Sequence, residues 1–364
     1  MENVGVMDNL YDIPYNVVYI LSAVIDKFLY IFLGIIFLIF LYYYLKGRKK
    51  ENEKKLFCLI LSIILVSILV PSLKNFFKKE RPCIGNIECP SDFSFPSGHV
   101  AISSVFLFIF DFPFSLIYFF FFLFVAFSRI FLGFHTFSDI VFGSVIGISV
   151  YLILFELLYK KEIKEMESDR EREREKGRGV GEMEMNEITR QIAHLLFGIL
   201  SIGIILIFQD LSIYIFFFLL LFFIFSSILK IPFINEFIET LGYRDIIRCS
   251  NVIFYICGIL LLLIFLKTDY IISSIYILAV GDSVSPFFIE IGKERKKRKS
   301  EKFFKGNIFS VFAFIIFSLP VPIFLIGEKG ILLVFLCAIL ESINLRINDN
   351  LLIPLTCLIF LSSI

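Results

Sequence analysis

The chain has no tryptophan and only three histidines among its 364 residues. Histidine is the side chain best suited to acid–base work near neutral pH, so three imidazoles leave few places for such chemistry. An excess of either charge is also missing. Thirty-five Lys and Arg face 34 Asp and Glu, a formal net charge of +1. These charges are clustered rather than spread, so the net charge says nothing about nucleic acid, and no nucleic-acid partner is expected. No Gly-rich loop of the Walker type is present, which sets aside a soluble-type ATPase. Asp8 and Asp12 stand where a cleavable signal peptide carries basic residues, so none is expected. The seven cysteines form no disulfide framework. Five sit in or at the ends of apolar segments and read as small core residues. Cys83 and Cys89 flank a short polar loop, where a local disulfide stays open. No internal repeat relates the two halves of the chain.

What is abundant is apolar: 58% of the residues are hydrophobic and 48 are Phe. Ordinary soluble domains hold ~45–50%. Residues 10–27 mix aromatic, apolar and acidic groups, and Asp26 with Lys27 breaks the run, so an interfacial helix is expected there. Spans are expected at Phe28–Leu45, Leu56–Leu73, Ser97–Phe112, Phe114–Leu132 and Asp139–Tyr159. Seven more apolar runs follow at 190–208, 211–229, 250–266, 270–291, 306–326, 330–347 and 351–364. Backbone polar groups in lipid must be satisfied internally, so helices are the expected solution. The expectation is an all-α, polytopic integral membrane protein of about 12 transmembrane helices in two helical bundles. Between the halves, Lys160 to Lys176 alternates acids and bases and reads as an exposed helix or flexible linker. The expected domains are therefore 1–159, a charged cytoplasmic linker at 160–186, and 187–364.

Parity gives a topology. The positive-inside rule puts the Lys46–Lys55 loop in the cytoplasm. Residues 74–96 and His135 then fall on the opposite side, and the linker returns to the cytoplasm. Four spans later the Lys293–Lys305 loop, with eight Lys and Arg against two Glu, is cytoplasmic again, as the same rule wants.

Three stretches carry charge at the ends of apolar segments: Lys74-x6-Arg81-Pro82, Pro96-Ser97-Gly98-His99 and Ser128-Arg129-x5-His135-x3-Asp139. Taken singly, they read as a solvated helix cap, a turn, and a snorkelling anchor. Taken together, they hold two of the three histidines and a set of groups suited to phosphate. Lys74, Arg81 and Arg129 can neutralise a phosphate dianion, the arginines bidentately. Ser97 and Gly98 open a helix whose free N–H groups and lack of a Cβ favour phosphate approach. His135 and Asp139, four apart, form a base or nucleophile with an orienting acid. His99 is placed to protonate a leaving alkoxide and then to activate water. The triple pattern resembles the type 2 phosphatidic acid phosphatase superfamily, membrane phosphatases of lipid phosphates and diphosphates, over roughly residues 20–160. The resemblance implies that His135 attacks phosphorus to form a phosphohistidine, with Asp139 behind it and His99 as general acid. No cofactor is expected for that reaction.

The second half is polar only at scattered points: Glu187-x2-Arg190-x3-His194, Gly281-Asp282, Lys302-x2-Lys305-Gly306, Glu341 and Asp349-Asn350. A carboxylate beside clustered cations suits a magnesium–nucleotide site, with Asp282 on the metal and Lys302 and Lys305 on phosphates. Gly306 would let backbone approach those phosphates. Plain readings are a topology determinant for the basic loop and interhelical hydrogen bonding for Asp282, Glu341 and His194. The order resembles the dolichol kinase and phytol kinase group, which implies CTP and Mg as cofactors and a polyprenol substrate. Asp349 and Asn350 would then complete the pocket or position the lipid hydroxyl. The Lys-Asp…His-Gly-Gly…Asp-Arg pattern of phosphatidate cytidylyltransferases is not found. The expected partners are a lipid phosphate or diphosphate, CTP and membrane lipids. The other classes to weigh are a phosphatase with a structural or regulatory second half, and a lipid transporter.

Overall fold

The computed structural model describes residues 19–35, 37–38, 41, 50–83, 89–110, 114–175, 180–229, 249–284, 308–343 and 347–363. Among them every long element is helical and no β-strand occurs. The chain divides into two compact units, Met1–Leu158 and Tyr159–Ile364.

In the first unit, α1 covers residues 19–35. Helix α2 is Lys50–Phe77, and α3 is Gly98–Val105, extended by a 3-10 turn at Phe106–Phe108. Helix α4 is Phe114–Phe131, and α5 starts at Phe137 and continues to Glu175, beyond the unit. Helix α3 packs between α2 and α4. It also meets α5 backbone to backbone. A Cβ at Gly143 would lie 2.6 Å from the Ser97 carbonyl oxygen, and one at Gly147 would run into the Ala101 carbonyl and Ser104 Oγ. Small residues four apart are how helices approach this closely in lipid. The contact fixes the start of α3, with Ser97 to His99, against the start of α5, with Asp139. The Ser97 N–H donates to the Asp139 carbonyl at 3.1 Å.

The second unit holds α6 (Val180–Phe208), α7 (Ser212–Leu229), α8 (Ser250–Phe265) and α9 (Thr268–Tyr276). After them come α10 (Ile308–Ser318), α11 (Pro320–Ile326), α12 (Glu328–Ser342) and α13 (Asp349–Ser362). The almost wholly apolar α8 is its core and packs against α7 and α13. Helix α9 runs into a π-helical turn at Ile277–Gly281, directly before Asp282. Such turns recur at functional sites.

Four stretches of described helix are long and apolar enough to cross a membrane: Lys55–Phe77, Phe114–Phe131, Phe137–Leu158 and Thr189–Leu229. A fifth appears if Phe309–Ser318 and Pro320–Ile326, bent by 44°, count as one. About 12 are expected from the apolar runs, of which Phe28–Leu45, 270–291, 306–326 and 330–347 lie partly outside the described residues. An apolar run sets where a segment is soluble, but breakers set where its helix stops. Gln209, at φ 34°, divides the Thr189–Leu229 stretch between the runs expected at 190–208 and 211–229, and Gly327, at φ 60°, separates α11 from α12 between the runs expected at 306–326 and 330–347. The run expected as the span Ser97–Phe112 folds as eight α-helical and three 3-10 residues, which reach roughly 18 Å against ~30 Å of hydrocarbon. The interfacial helix expected over 10–27 is also different. Residues 10–18 lie outside the described residues, and α1 runs through Asp26 and Lys27 without a break.

Candidate active site

Helix α4 ends in a turn that Gly133 closes at φ 68°. Phe134 and His135 both donate their N–H to the Arg129 carbonyl, at 3.1 and 3.2 Å. The fold-back brings His135 under Arg81. The Nη1 of Arg81 lies 3.2 Å from His135 Nε2 and 3.1 Å from the Phe134 carbonyl oxygen. A guanidinium has only donors, so Nε2 is assigned as the acceptor and carries the lone pair. The ring hydrogen is then on Nδ1, which faces Asp139 Oδ2 at 3.6 Å. That is longer than a hydrogen bond, a common looseness where no substrate is bound. Burial pushes the His135 protonation point down, and the Arg81 charge adds to it, so the ring is neutral at physiological pH.

Asp139 is wholly buried and crowded with donors. Lys79 Nζ reaches Oδ1 at 2.6 Å, and Thr136 donates its hydroxyl to Oδ1 and its N–H to Oδ2, both at 2.8 Å. Ser94 Oγ donates to Oδ2. Lys79 is aimed there because α2 ends at Phe77 and the next residue, Lys78, takes a left-handed φ of 48° and turns the chain off the helix axis.

The remaining groups ring a cavity of about 740 Å³ lined by Lys74, Arg81, Gly98, His99, Arg129 and His135, among others. Asp92 spans two of its cations. Its Oδ1 accepts from Arg81 Nη2 at 2.6 Å and its Oδ2 pairs with Lys74. Burial pushes the Asp92 carboxyl up, but the hydrogen bonds and charges of Lys74 and Arg81 outweigh it and hold it below the ordinary carboxylate range. Arg129 is buried to 1% exposure and pairs with Asp26 of α1. His99 stands on the wall, its Nε2 3.4 Å from the Asp26 carbonyl oxygen. One expected role changes. The Ser97 N–H is already donated to Asp139, and Ser97 Oγ is buried without a hydrogen-bond partner, so of the helix opening it is Gly98 and His99 that face the cavity.

Asp26, Asp92, Lys79 and Ser94 were not singled out as site residues from the sequence. Each is a lone polar residue whose partner lies far along the chain, so spacing carries no sign of it. The one available signal was Asp26, a carboxylate inside an apolar run. Cys83 and Cys89 are joined as a disulfide beside Arg81.

In the second unit, Asp282, Glu341 and Asp349 each bring a carboxylate oxygen within 4.8 Å of the others. His194 Nε2 lies 2.8 Å from Asn350 Oδ1 and 3.6 Å from Asp282 Oδ2. Asn251, missed in the sequence, accepts from Asn348 Nδ2 at 2.5 Å and from Asn350 Nδ2 at 3.3 Å. Arg190 is half-buried one turn before His194 on α6. Lys302, Lys305 and Gly306 lie outside the described residues.

Residues 55–163 match the family model of the PAP2 superfamily. The matched segment contains all three motifs, from Lys74 to Asp139, and contains neither α1 nor residues 187–364. No curated protein and no solved structure matches the chain.

Proposed function

We propose that the first unit hydrolyses a lipid phosphate or diphosphate through a phosphohistidine. The observation that carries this reading is the unprotonated Nε2 of His135, held by Arg81 in a cavity walled by Lys74, Arg129 and His99; the arriving phosphate takes over the Arg81 donor and releases the lone pair. The phosphate displaces the Asp92 carboxylate and takes its place on Lys74 and Arg81. Nε2 attacks phosphorus. The N–P bond forms as the P–O bond to the lipid breaks, and the departing oxygen takes the electron pair and the proton of His99. Burial and then Arg129 lower the His99 protonation point to about 4 before substrate binds, and His99 takes that proton from solvent as the phosphate dianion binds beside it. His99 then removes a proton from water, whose oxygen attacks phosphorus. The N–P bond breaks, the pair returns to Nε2, and inorganic phosphate leaves. Charge neutralisation by fixed donors is the main contribution here. A polyprenyl carrier is the substrate that suits both halves of the chain. The Cys83–Cys89 disulfide supports placing this site opposite the cytoplasm, because such bonds belong to oxidising compartments. The test is phosphate release from a panel of lipid phosphates and diphosphates by the purified protein in EDTA. Turnover is expected to persist under chelation and to vanish in His135→Ala. Reversible loss on chelation, or activity in His135→Ala, overturns the mechanism.

A second reading has one observation in its favour, the meeting of Asp282, Glu341 and Asp349. Three hard oxygen donors at that spacing fit magnesium. In this reading they hold the metal of a CTP-dependent polyprenol kinase, while Lys302, Lys305 and Gly306 take the CTP phosphates. Asn350, oriented by His194, faces the lipid hydroxyl. Magnesium would supply charge neutralisation on the transferred phosphoryl group.

A further inference from the structure

Helix α1 lies outside the PAP2 match, yet it builds one wall of the phosphatase cavity. Ser22, Asp26 and Tyr30 are spaced by four and share one helical face. Between them they touch two groups of the proposed reaction, Arg129 and His99. The Ser22 carbonyl accepts from Arg129 Nη2 at 3.4 Å, and the Asp26 carboxylate pairs with Arg129 Nη1. Asp26 also flanks His99, with its carbonyl oxygen 3.4 Å and its Oδ1 3.8 Å from Nε2. The Tyr30 ring lies against the His99 ring at 5.4 Å between centroids. A carboxylate next to a buried guanidinium and an imidazole fixes both, and its loss leaves a buried charge uncompensated.

We infer that Asp26 is a positioning residue of the phosphatase site, holding Arg129 and setting His99 as the proton donor to the leaving group. The inference rests on the phosphatase reading above. His99 is faced by Asp26 and Tyr30 from α1 and by Arg129 from α4, with His135 beyond it and Lys74 of α2 on the same cavity. Among these, Asp26 is the carboxylate that touches it. Its effect through His99 must therefore show where the leaving oxygen needs a proton and fade where it does not, over a loss through Arg129 that both substrates share.

The experiment compares Asp26→Asn and Asp26→Glu with the unaltered protein on two substrates. One is a lipid phosphate, whose alkoxide leaves poorly. The other is p-nitrophenyl phosphate, whose phenolate leaves without help. In Asp26→Asn, kcat on the lipid phosphate is expected to fall by about 10²-fold more than kcat on the aryl ester, the low end of a general-acid contribution, while the loss common to both esters reports the loosened Arg129. Asp26→Glu, which keeps the carboxylate, is expected to recover most of the lipid activity. Equal loss on both substrates, no loss on either, or no difference between Asn and Glu overturns the inference. If Asp26→Asn does not fold, the Asp26→Glu to Asp26→Ser pair carries the same comparison. Failure of the unaltered protein to hydrolyse either ester, or His135-independent hydrolysis, would instead overturn the phosphatase reading itself.

Discussion

A histidine attacks phosphorus only while its ring is neutral, so the protonation point of His135 bounds the working pH from below. Burial moves that point down from the ordinary ~6.5 of an imidazole. A lowered point means the neutral ring survives further into acid and is lost only as pH falls through the lowered value. Diethyl pyrocarbonate acylates neutral imidazoles and owes nothing to the ionisation of a substrate. Its rate at His135, followed by mass spectrometry to separate the three histidines, is expected to stay high below pH 6.5 and to half-decay at a lower pH. A half-point above pH 7 would show that the pocket favours the cation, and His135 would then be no nucleophile. At this scale the sequence carries the charged and imidazole groups well, because they stand in fixed spacings around Arg81, His99 and His135. It does not carry their neighbours. Lys79 meets Asp139 at a separation of 60 residues and Asp26 meets Arg129 at 103, and such pairs leave no local pattern.

Helix α3 is too short to cross a membrane, and its place is set by what it packs against rather than by lipid. The backbone approach at Gly143 and Gly147 keeps Ser97 to His99 in register with Asp139. Gly147→Val puts two methyl groups into the Ala101 carbonyl and Ser104 Oγ and must push the helices apart. Overpacking of this kind costs about 1–3 kcal/mol, so thermal unfolding in detergent should start lower. The displacement also moves His99 away from His135, so kcat should fall beyond what the lost stability explains. Gly203 is the comparison, because a Cβ there meets nothing within 4 Å. Gly203→Ala is expected to raise stability by up to about 1 kcal/mol through helix propensity and leave kcat unchanged. If Gly147→Val unfolds and turns over like the unaltered protein, α3 is not held by α5. Apolar runs forecast the stops before Gln209 and Gly327, where the runs at 190–208 and 306–326 end, but not the bend at Pro320 inside the second of them, because hydropathy measures solubility in lipid and says little about backbone dihedrals.

At the scale of the whole chain, the question is whether two compact units carry two activities. The second unit gathers Asp282 after a π-helical turn, Glu341 near the end of α12 and Asp349 at the start of α13. In sequence these are scattered single residues with plain readings of their own, and only folding brings them within a metal's reach. Three partly buried carboxylates repel one another unless a cation or proton is shared, an expense that a structural role does not need. The kinase reading turns that expense to use, and on the topology expected from the positive-inside rule its basic loop would face the compartment that holds nucleotides. Sealed inside-out vesicles present that face to the medium. CTP and magnesium added outside them are expected to phosphorylate a long-chain polyprenol, while phosphate cut from a lipid phosphate collects in the lumen. Asp282→Asn should abolish the first reaction and leave the second, and His135→Ala should do the reverse. Magnesium binding measured by calorimetry on the full chain should weaken at least tenfold in Asp282→Asn whether or not the kinase substrate is the right one. If CTP donates no phosphate and magnesium binds both proteins alike, the carboxylates are structural, and the chain is a phosphatase with a packing partner.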